Sequence, residues 1–393
     1  MTSGQVKLLH TSDWHVGKQV RGNSRADEHR AVFDEIAHIA ESEQVDSVVV
    51  AGDLFDTSAP TPEAEDVVYQ TLMRFSATGA QVVVISGNHD NARKLRVLAP
   101  LLHRCGVRMI TEPLRPHDGG VLSLVTRDGT PLRIAALPFV SQRGIVRAEQ
   151  LMSAAAFQNA QEYSRRLGLI IDMLCASFAD DAVNVLLAHA FVTGGVTGGG
   201  ERAGHVTDEY TVPSTVFPAS ASYVALGHLH RPQRIAAATA VHYCGSPLQL
   251  DFGESNQAKQ VNLVTLEPGL PAAVAAVPLN CGRQMRTFVG TVEQLRASVT
   301  DDDSWLRLIV REPHRAGLGD SVRTIFGPRV VEVRIEAPSD IHANTTNPPS
   351  RHGRSPNELF NEFLAERHIQ DPRVGALFAE LLEHTVSVEQ GAE

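Results

Sequence analysis

The segment Gln81–Asp90 reads QVVVISGNHD: a run of Val and Ile, a glycine, then Asn88, His89 and Asp90. An apolar run of this length, closed by a Gly-Asn turn signal, marks a buried strand. The same form recurs along the chain. Val6–His10 is followed by Asp13-Trp14-His15, Ser47–Ala51 by Gly52-Asp53, Val183–Ala188 by His189, and Tyr223–Leu226 by Gly227-His228-Leu229-His230. Each run delivers Asp, Asn or His just past its carboxyl end, the edge where α/β sheets assemble their sites. Singly these residues are ordinary. Asp53 and Asn88 are common turn formers, and a histidine after an apolar strand is more often a satisfied core residue. Together they predict one ligand cluster.

Helical patterns fill the gaps. Glu28–Ala40 carries Val32, Ile36 and Ile39 on one stripe, and Glu63–Phe75 carries Val67, Val68, Leu72 and Phe75. Strands alternating with helices predict an α/β layered fold, and Val121–Val125, Leu132–Leu137 and Val241–Tyr243 add strands of a second sheet. Phe191–Val212 is rich in glycine and reads as a flexible loop. It lacks the G-K-[ST] ending of a nucleotide cradle, and its lone His205 reads as solvated. From about Arg283 the pattern becomes strand (Met285–Thr291), helix (Val292–Ser298), strand (Trp305–Arg311), helix (Leu318–Phe326), strand (Val330–Glu336), a small α+β domain of nearly balanced charge. A polar, proline-containing linker follows, then two short amphipathic helices. Ser355, Pro356 and Glu358 start the first with a capping box, and its stripe is Leu359, Phe360, Phe363 and Leu364. Asp371-Pro372 starts the second, with Val374, Leu377, Phe378, Leu381 and Leu382 at helical spacing. The expected divisions are a main domain over 1–280, a capping domain over 281–336, a linker over 337–353 and a helical tail over 354–393.

Composition narrows the function. The chain has 393 residues, enough for two or three domains, and at 43% hydrophobic it can bury a sizeable core. A net charge of −10 argues against gripping nucleic acid by bulk charge, although bound cations would reverse the sign locally. Cys105, Cys175, Cys244 and Cys281 form no C-x-x-C pair, which argues against a zinc ribbon or a disulfide framework. No signal peptide is evident in Met1–His10 and no apolar run is long enough to span a membrane, so a cytoplasmic protein without membrane contact is expected.

The ligand set combines carboxylate oxygen, amide oxygen and imidazole nitrogen without thiolate. That mixture suits Mn²⁺, Fe²⁺ or Zn²⁺ better than Mg²⁺ or Ca²⁺. Two cations about 4 Å apart need a bridging carboxylate, and Asp53 is the natural candidate. Gly52 and Gly87 are read as permitting sharp turns before their ligands.

The order D-x-H, G-D, G-N-H-D, lone His, G-x-H resembles the calcineurin-like metallophosphoesterase superfamily. That resemblance implies a two-sheet core with helices outside. It implies a first metal on Asp13, His15, Asp53 and His230, and a second on Asp53, Asn88, His189 and His228. It makes His89 the catalytic histidine that binds no metal, with Asp90 expected to orient it. The wording is closer still to the SbcD nuclease-subunit family: LHTSDWHVG at 9–17, AGDLFD at 51–56, LAHAF at 187–191, YVALGHLH at 223–230 and CGSPLQLDFGE at 244–254. This implies a Mn²⁺-dependent DNA exonuclease and hairpin or blocked-end endonuclease of DNA repair, recombination and replication, nucleoid-associated. It also implies an SMC-like ATPase partner, SbcC, and a homodimer within a heterotetramer, with Ala64–Phe75 and Ala92–Leu102 as the dimer surfaces. Asp56 stands where archaeal and eukaryotic counterparts often carry His, so their cleavage polarity is not carried over. Lys18, Arg21, Arg25, Arg93, Lys94 and Arg96 are the candidate DNA-phosphate contacts. Leu359, Phe363, Val374, Leu377, Phe378, Leu381 and Leu382 are the candidate ATPase contacts. The alternatives are a small-molecule phosphatase or cyclic-nucleotide phosphodiesterase on the same ligands, and a non-catalytic DNA-end tether.

Overall fold

The computed structural model describes residues 4–141, 156–201, 211–336, 356–366, 371, 373–375 and 377–378. The chain begins β1 (Val6–Thr11), α1 (Ala26–Ser42), β2 (Ser47–Val50), α2 (Pro62–Ala77), β3 (Gln81–Ile85), α3 (Ala92–Arg104), β4 (Val107–Ile110). A second sheet is built from β5 (Val121–Val125), β6 (Pro131–Leu137), β7 (Val183–His189), β10 (Tyr223–Gly227), β11 (Gln233–Ile235) and β12 (Val241–Tyr243). Between them lie α4 (Ala156–Cys175) and the short pair β8 (Phe191–Val192) and β9 (Thr211–Val212). The chain then returns to the first sheet with β13 (Gln260–Leu266) and β14 (Ala273–Pro278). The sheet orders are β14-β13-β1-β2-β3-β4 and β11-β12-β10-β7-β6-β5.

The layering follows from the two-residue period of the strands. In β2, Val48 and Val50 face the helices α1 and α2, while Val49 faces the other sheet. In β3, Val82 and Val84 pack outward, Val83 and Ile85 inward. The second sheet mirrors this: Leu186 and Ala188 of β7 pack toward α4, and Val183, Val185 and Leu187 meet the first sheet. Both faces of these strands are buried, which is why they read as continuous apolar runs rather than alternating ones. The architecture is α/β/β/α, the layered two-sheet fold expected. β1, β2 and β3 run parallel, as do β7 and β10, so within each sheet the ligand-bearing ends share an edge.

The segment after Cys281 folds as a three-stranded parallel sheet of β15 (Met285–Gly290), β16 (Trp305–Val310) and β17 (Val330–Ile335). It is backed by α5 (Val292–Ser298) and α6 (Leu318–Phe326). It has its own core around Leu295, Leu306, Leu308, Leu318 and Val322. A separate cluster of Val20, Phe252, Met285, Trp305 and Val331 joins it to the loop that follows His15, and residues up to Ala337 form one compact unit.

Glu28 is the polar centre of that junction. Its carboxylate receives Arg25 Nε and Nη2 (3.1 and 2.7 Å), the Arg283 amide (2.8 Å) and the Trp305 indole N–H (2.9 Å). Arg25 also donates to the Gln249 carbonyl and is 1% exposed. This corrects the assignment of Arg25 to DNA: a guanidinium sealed between a carboxylate and a main-chain carbonyl cannot reach a phosphate.

The tail from Pro338 is a second unit. Its helix α7 (Pro356–Glu366) buries Leu364 and stacks Phe360 on Phe378 at 3.8 Å, while Phe363 and Leu377 stay exposed. Leu381, Leu382, His205 and the 337–353 linker lie outside the described residues. Among the described residues no helix is long and apolar enough to cross a membrane.

Glu28→Ala leaves Arg25 buried without its carboxylate. We expect a loss of about 3–5 kcal/mol, read as a lower midpoint in urea denaturation. Asp27→Ala, which removes a surface ion pair with Arg30, should leave the midpoint in place. Equal midpoints for all three proteins would refute the role given to Glu28.

Candidate metal centre

The ends of β1, β2, β3, β7 and β10 converge. The loops after β1 and β2 run side by side, the Asp13 amide donating to the Gly52 carbonyl and the His15 amide to the Asp53 carbonyl, both at 3.0 Å. Asp13, His15, Asp53 and His228 all have φ in the left-handed region, at 52°, 47°, 52° and 107°. Non-glycine residues hold such angles only where the surroundings over-determine them. Here the over-determination is visible. Asp13 Oδ1 accepts from the His228 amide (2.9 Å) and Oδ2 from the Ser12 hydroxyl (2.6 Å). Asp53 Oδ1 accepts from the His89 amide (2.9 Å).

Gly87 serves a purpose other than the one expected. Its φ is not positive; instead, a Cβ there would lie 2.1 Å from Asp53 Oδ1. It is a close-approach glycine, while Gly52 (φ 90°) is the turn glycine.

Two groups of donors form around Asp53. On one side stand Asp13, His15 and His230; on the other, Asn88 Oδ1 lies 2.9 Å from His189 Nε2 and 2.8 Å from His228 Nδ1. Asp53 Oδ2 lies 3.5 Å from both His15 Nε2 and His189 Nε2. His189 gives its Nδ1 proton to the Ala51 carbonyl (2.7 Å), so the lone pair of Nε2 faces the amide oxygen of Asn88 and sits 3.3 Å from a second imidazole nitrogen. Both nitrogens of His15 are buried without a hydrogen-bond partner. Buried polar atoms are normally paired, and lone pairs aimed at a common point are what a cation requires. All seven expected ligand residues are thus brought together, and the clustered Asp and His side chains suit divalent metal.

The electrostatics agree. Burial pushes the Asp13 carboxyl up to about 6. Burial, reinforced by the charge of Asp53, pushes Asp90 up to about 7. Burial also opposes ionisation of Asp53, but the pull of His189, His89 and His15 outweighs it and holds that carboxyl well below the usual range. Burial drives His15 down to about 4. Carboxylates crowded this tightly out of water favour a cation among them.

His89 is 7% exposed and hydrogen-bonds through Nδ1 to the Asp56 carbonyl (2.8 Å). Asp90 does not orient it. The Asp90 carboxylate instead collects the amides of Leu54 (3.2 Å), Phe55 (3.0 Å) and Gly87 (2.9 Å), which ties the β2 and β3 loops together. The expectation for Asp90 is corrected accordingly. Of the candidate DNA contacts, Lys18 pairs with Asp56 (3.2 Å), Arg21 with Glu332 (2.9 Å), Lys94 with Glu65 and Arg96 with Glu112 (2.8 Å). Arg93 lies at the exposed start of α3.

Sequence reasoning missed three supports. Asp56 places His89 through its carbonyl, and its carboxylate lies 3.5 Å from His15 Nδ1. Glu254 meets His230 Nδ1 (3.0 Å), and Glu201 accepts the His230 amide (3.0 Å). Glu201 lies in the described part of the glycine-rich stretch, whose residues 195–201 pack on the site rather than standing free of it. A Cβ at Gly200 would lie 2.4 Å from Glu254 Oε1, and one at Gly195 2.6 Å from Leu229 Cδ1. The run of glycines was the available signal.

Fold and site define a class of protein, and comparison agrees: residues 6–232 match the calcineurin-like phosphoesterase model. Relatives are more specific. The SbcD component of the SbcCD nuclease from Bacillus subtilis is 35% identical over 319 residues, covering 78% of this chain and 79% of the relative. Its Escherichia coli K12 counterpart is 31% identical, covering 78% and 76%, and that of Rhodobacter capsulatus 33%, covering 70% and 69%. The chain belongs to the SbcD nuclease-subunit family of calcineurin-like phosphoesterases, and is a metal-dependent phosphodiester hydrolase.

Gly87→Ala should displace the Asp53 carboxylate. We expect a folded protein by circular dichroism whose Mn²⁺ binding, measured by calorimetry, is severely weakened. Unchanged binding would show that the close approach of Gly87 does not hold the site.

Proposed function

We propose that this chain cuts DNA with two divalent cations, Mn²⁺ the expected pair, as the nuclease component of an assembly with an SbcC-type SMC-like ATPase. The observation that carries the two-cation reading is Asp53 Oδ2, equally distant from His15 and His189 at 3.5 Å. Asp13, His15, Asp53 and His230 would hold one ion; Asp53, Asn88, His189 and His228 the other. Bound there, the pair supplies an activated water and a counter-charge for the phosphoryl oxygens. His89, its Nδ1 fixed on the Asp56 carbonyl, would exchange a proton with the leaving oxygen through Nε2. Asp90 holds the loops that carry Asp53 and Asn88.

The substrates proposed are double-stranded ends and hairpin or blocked ends in repair and recombination, in a cytoplasmic, nucleoid-associated assembly. Lys18, Arg21, Arg93, Lys94 and Arg96 remain as candidate phosphate contacts, which would exchange their present partners for a phosphate. The names of the relatives support the nuclease reading over a small-molecule phosphatase or a non-catalytic tether.

Labelled linear and hairpin DNA should be cleaved with Mn²⁺ and not with excess EDTA, while nitrophenyl esters turn over poorly. His89→Ala should retain two ions by metal analysis and lose about 10²–10⁴-fold in rate, whereas Asp53→Ala should lose metal too. Undiminished cleavage in EDTA would end the metal mechanism, and a His89→Ala protein empty of metal would reassign that residue.

Two interfaces complete the proposal. Val97 (75% exposed) and Leu101 (64%) stand one turn apart on α3, an apolar pair that supports a homodimer built on α2 and α3 within a heterotetramer. The tail stripes of Leu359, Phe363, Val374, Leu377, Phe378, Leu381 and Leu382 are proposed to dock on the ATPase as a helix in a groove, the linker keeping the nuclease attached at high effective concentration. The compact unit to Ala337 is read as a nuclease domain over 1–280 and a capping domain over 281–336. A chain truncated after Gly353 should still scatter light as a dimer, keep its basal cleavage, and fail to co-purify with the ATPase. A lone 42.5 kDa species from the intact chain, or full co-purification of the truncated one, would contradict these assignments.

A further inference from the structure

Behind His230 lies a buried polar group that the proposed chemistry leaves unused. Glu254 is 0% exposed. Its Oε1 stands 3.0 Å from His230 Nδ1. Its Oε2 receives Lys259 Nζ at 2.7 Å and the Leu250 amide at 3.0 Å. Lys259, itself 7% exposed, also donates to the Ser246 hydroxyl (2.8 Å) and to the carbonyl of His230 (3.2 Å). The group is therefore anchored at both ends of one ligand residue: Glu254 holds the ring and Lys259 holds the main chain.

The donor inventory fixes the direction of the bond. An ionised carboxylate only accepts, so the proton between Glu254 and His230 belongs to Nδ1. A neutral ring protonated at Nδ1 has its lone pair on Nε2, the nitrogen left to join Asp13 and His15. A histidine ligand whose other nitrogen donates to a carboxylate has a fixed tautomer, a fixed ring orientation and a stronger donor atom. Stability alone gives a weaker account of the same group, because apolar side chains of equal volume commonly replace a buried ion pair without loss. An acceptor at this place selects the ring tautomer, an anionic one strengthens the donor atom further, and the cation beside it keeps that anion charged out of water.

We propose that Glu254 is a positioning residue for His230, with Lys259 as its buried counter-charge, and that the pair sets the affinity of the Asp13–His15–His230 side for a divalent ion. The proposal rests on the two-cation reading and adds to it the group that tunes one of the two sites. It also accounts for the close packing of the glycine-rich segment, since any side chain at Gly200 would push into the Glu254 oxygen that holds the ring.

The test uses the full chain, stripped of metal and titrated with Mn²⁺ in a calorimeter. The wild type should bind two ions. Glu254→Ala combined with Lys259→Met removes both charges together and leaves no unpaired one. It should weaken one binding step by about 10–100-fold and leave the other unchanged. Glu254→Gln combined with Lys259→Met keeps a hydrogen-bond acceptor for Nδ1 and should recover most of that loss. A folded Ala/Met protein that binds both ions as the wild type does would overturn the proposal. If that variant does not fold, ¹⁵N spectra of histidine-labelled, Zn²⁺-loaded wild type decide the matter. Nε2 should be the metal-bound nitrogen of His230, with Nδ1 protonated; the reverse assignment, or no metal on His230, overturns it. A wild type that binds no Mn²⁺ at all would instead bring down the two-cation reading itself, so the two failures are distinguishable.

Discussion

Everything at the centre of this molecule leans on one buried carboxylate. Asp53 is held ionised against the cost of its own burial by three histidines, and its two oxygens do different work. Oδ1 takes the amide of His89 and so fixes the loop that carries Asn88; Oδ2 faces His15 on one side and His189 on the other. For that second oxygen to stand between residues of two different sheets, the carboxyl ends of strands in the two face-packed sheets must converge at this point. Gly87 must have no side chain, and Gly52 must turn where no other residue turns easily. The left-handed backbone at Asp13, His15, Asp53 and His228 is the conformational cost of this geometry. The apolar layer between the sheets, with Val49, Ile85, Val185 and Ala225 fully buried, is what offsets it.

The same logic extends outward from the site. The loop after His15 does not end in solvent. It runs through Val20 and Arg21 into Arg25, and there Glu28 of α1 and Trp305 and Glu332 of the three-stranded sheet take hold of it. A ligand loop is thereby clamped on one side by the strands that carry it and on the other by a sheet nearly three hundred residues away in sequence. The Glu28 carboxylate ties Arg25, at the end of that loop, to the Arg283 amide and to the Trp305 indole of β16.

Much of this was legible in the sequence, and the reasons are physical. Strands buried on both faces must be apolar throughout, so they stand out as runs. Ligands must sit at strand ends, so they follow those runs at short, readable intervals. What was not legible depended on partners distant in the chain. Arg25 looks like any basic residue near a site until Gln249 and Glu28 close over it. Asp90 beside His89 suggests a catalytic pair, yet its oxygens are claimed by amides of the β2 and β3 loops. The glycines of 194–200 resemble a flexible tether because sequence does not reveal that Leu229, His230 and Glu254 press against them. Glu254 itself carries no local sign of its role.

The pairing of β1 has a temporal meaning as well. β1 lies between β2 and β13, and its register with β13 matches Val6 to Leu266 and His10 to Asn262. During synthesis β1 therefore waits for β13, which is made much later, before this sheet can close. Sequence-distant pairing of this kind is slow and comes late in folding. A half-made chain carries Asp13, His15, Asp53 and Asn88 without His189, His228 or His230. The cluster around Asp53 therefore cannot be complete before β10 has joined β7 and brought His228 beside His189.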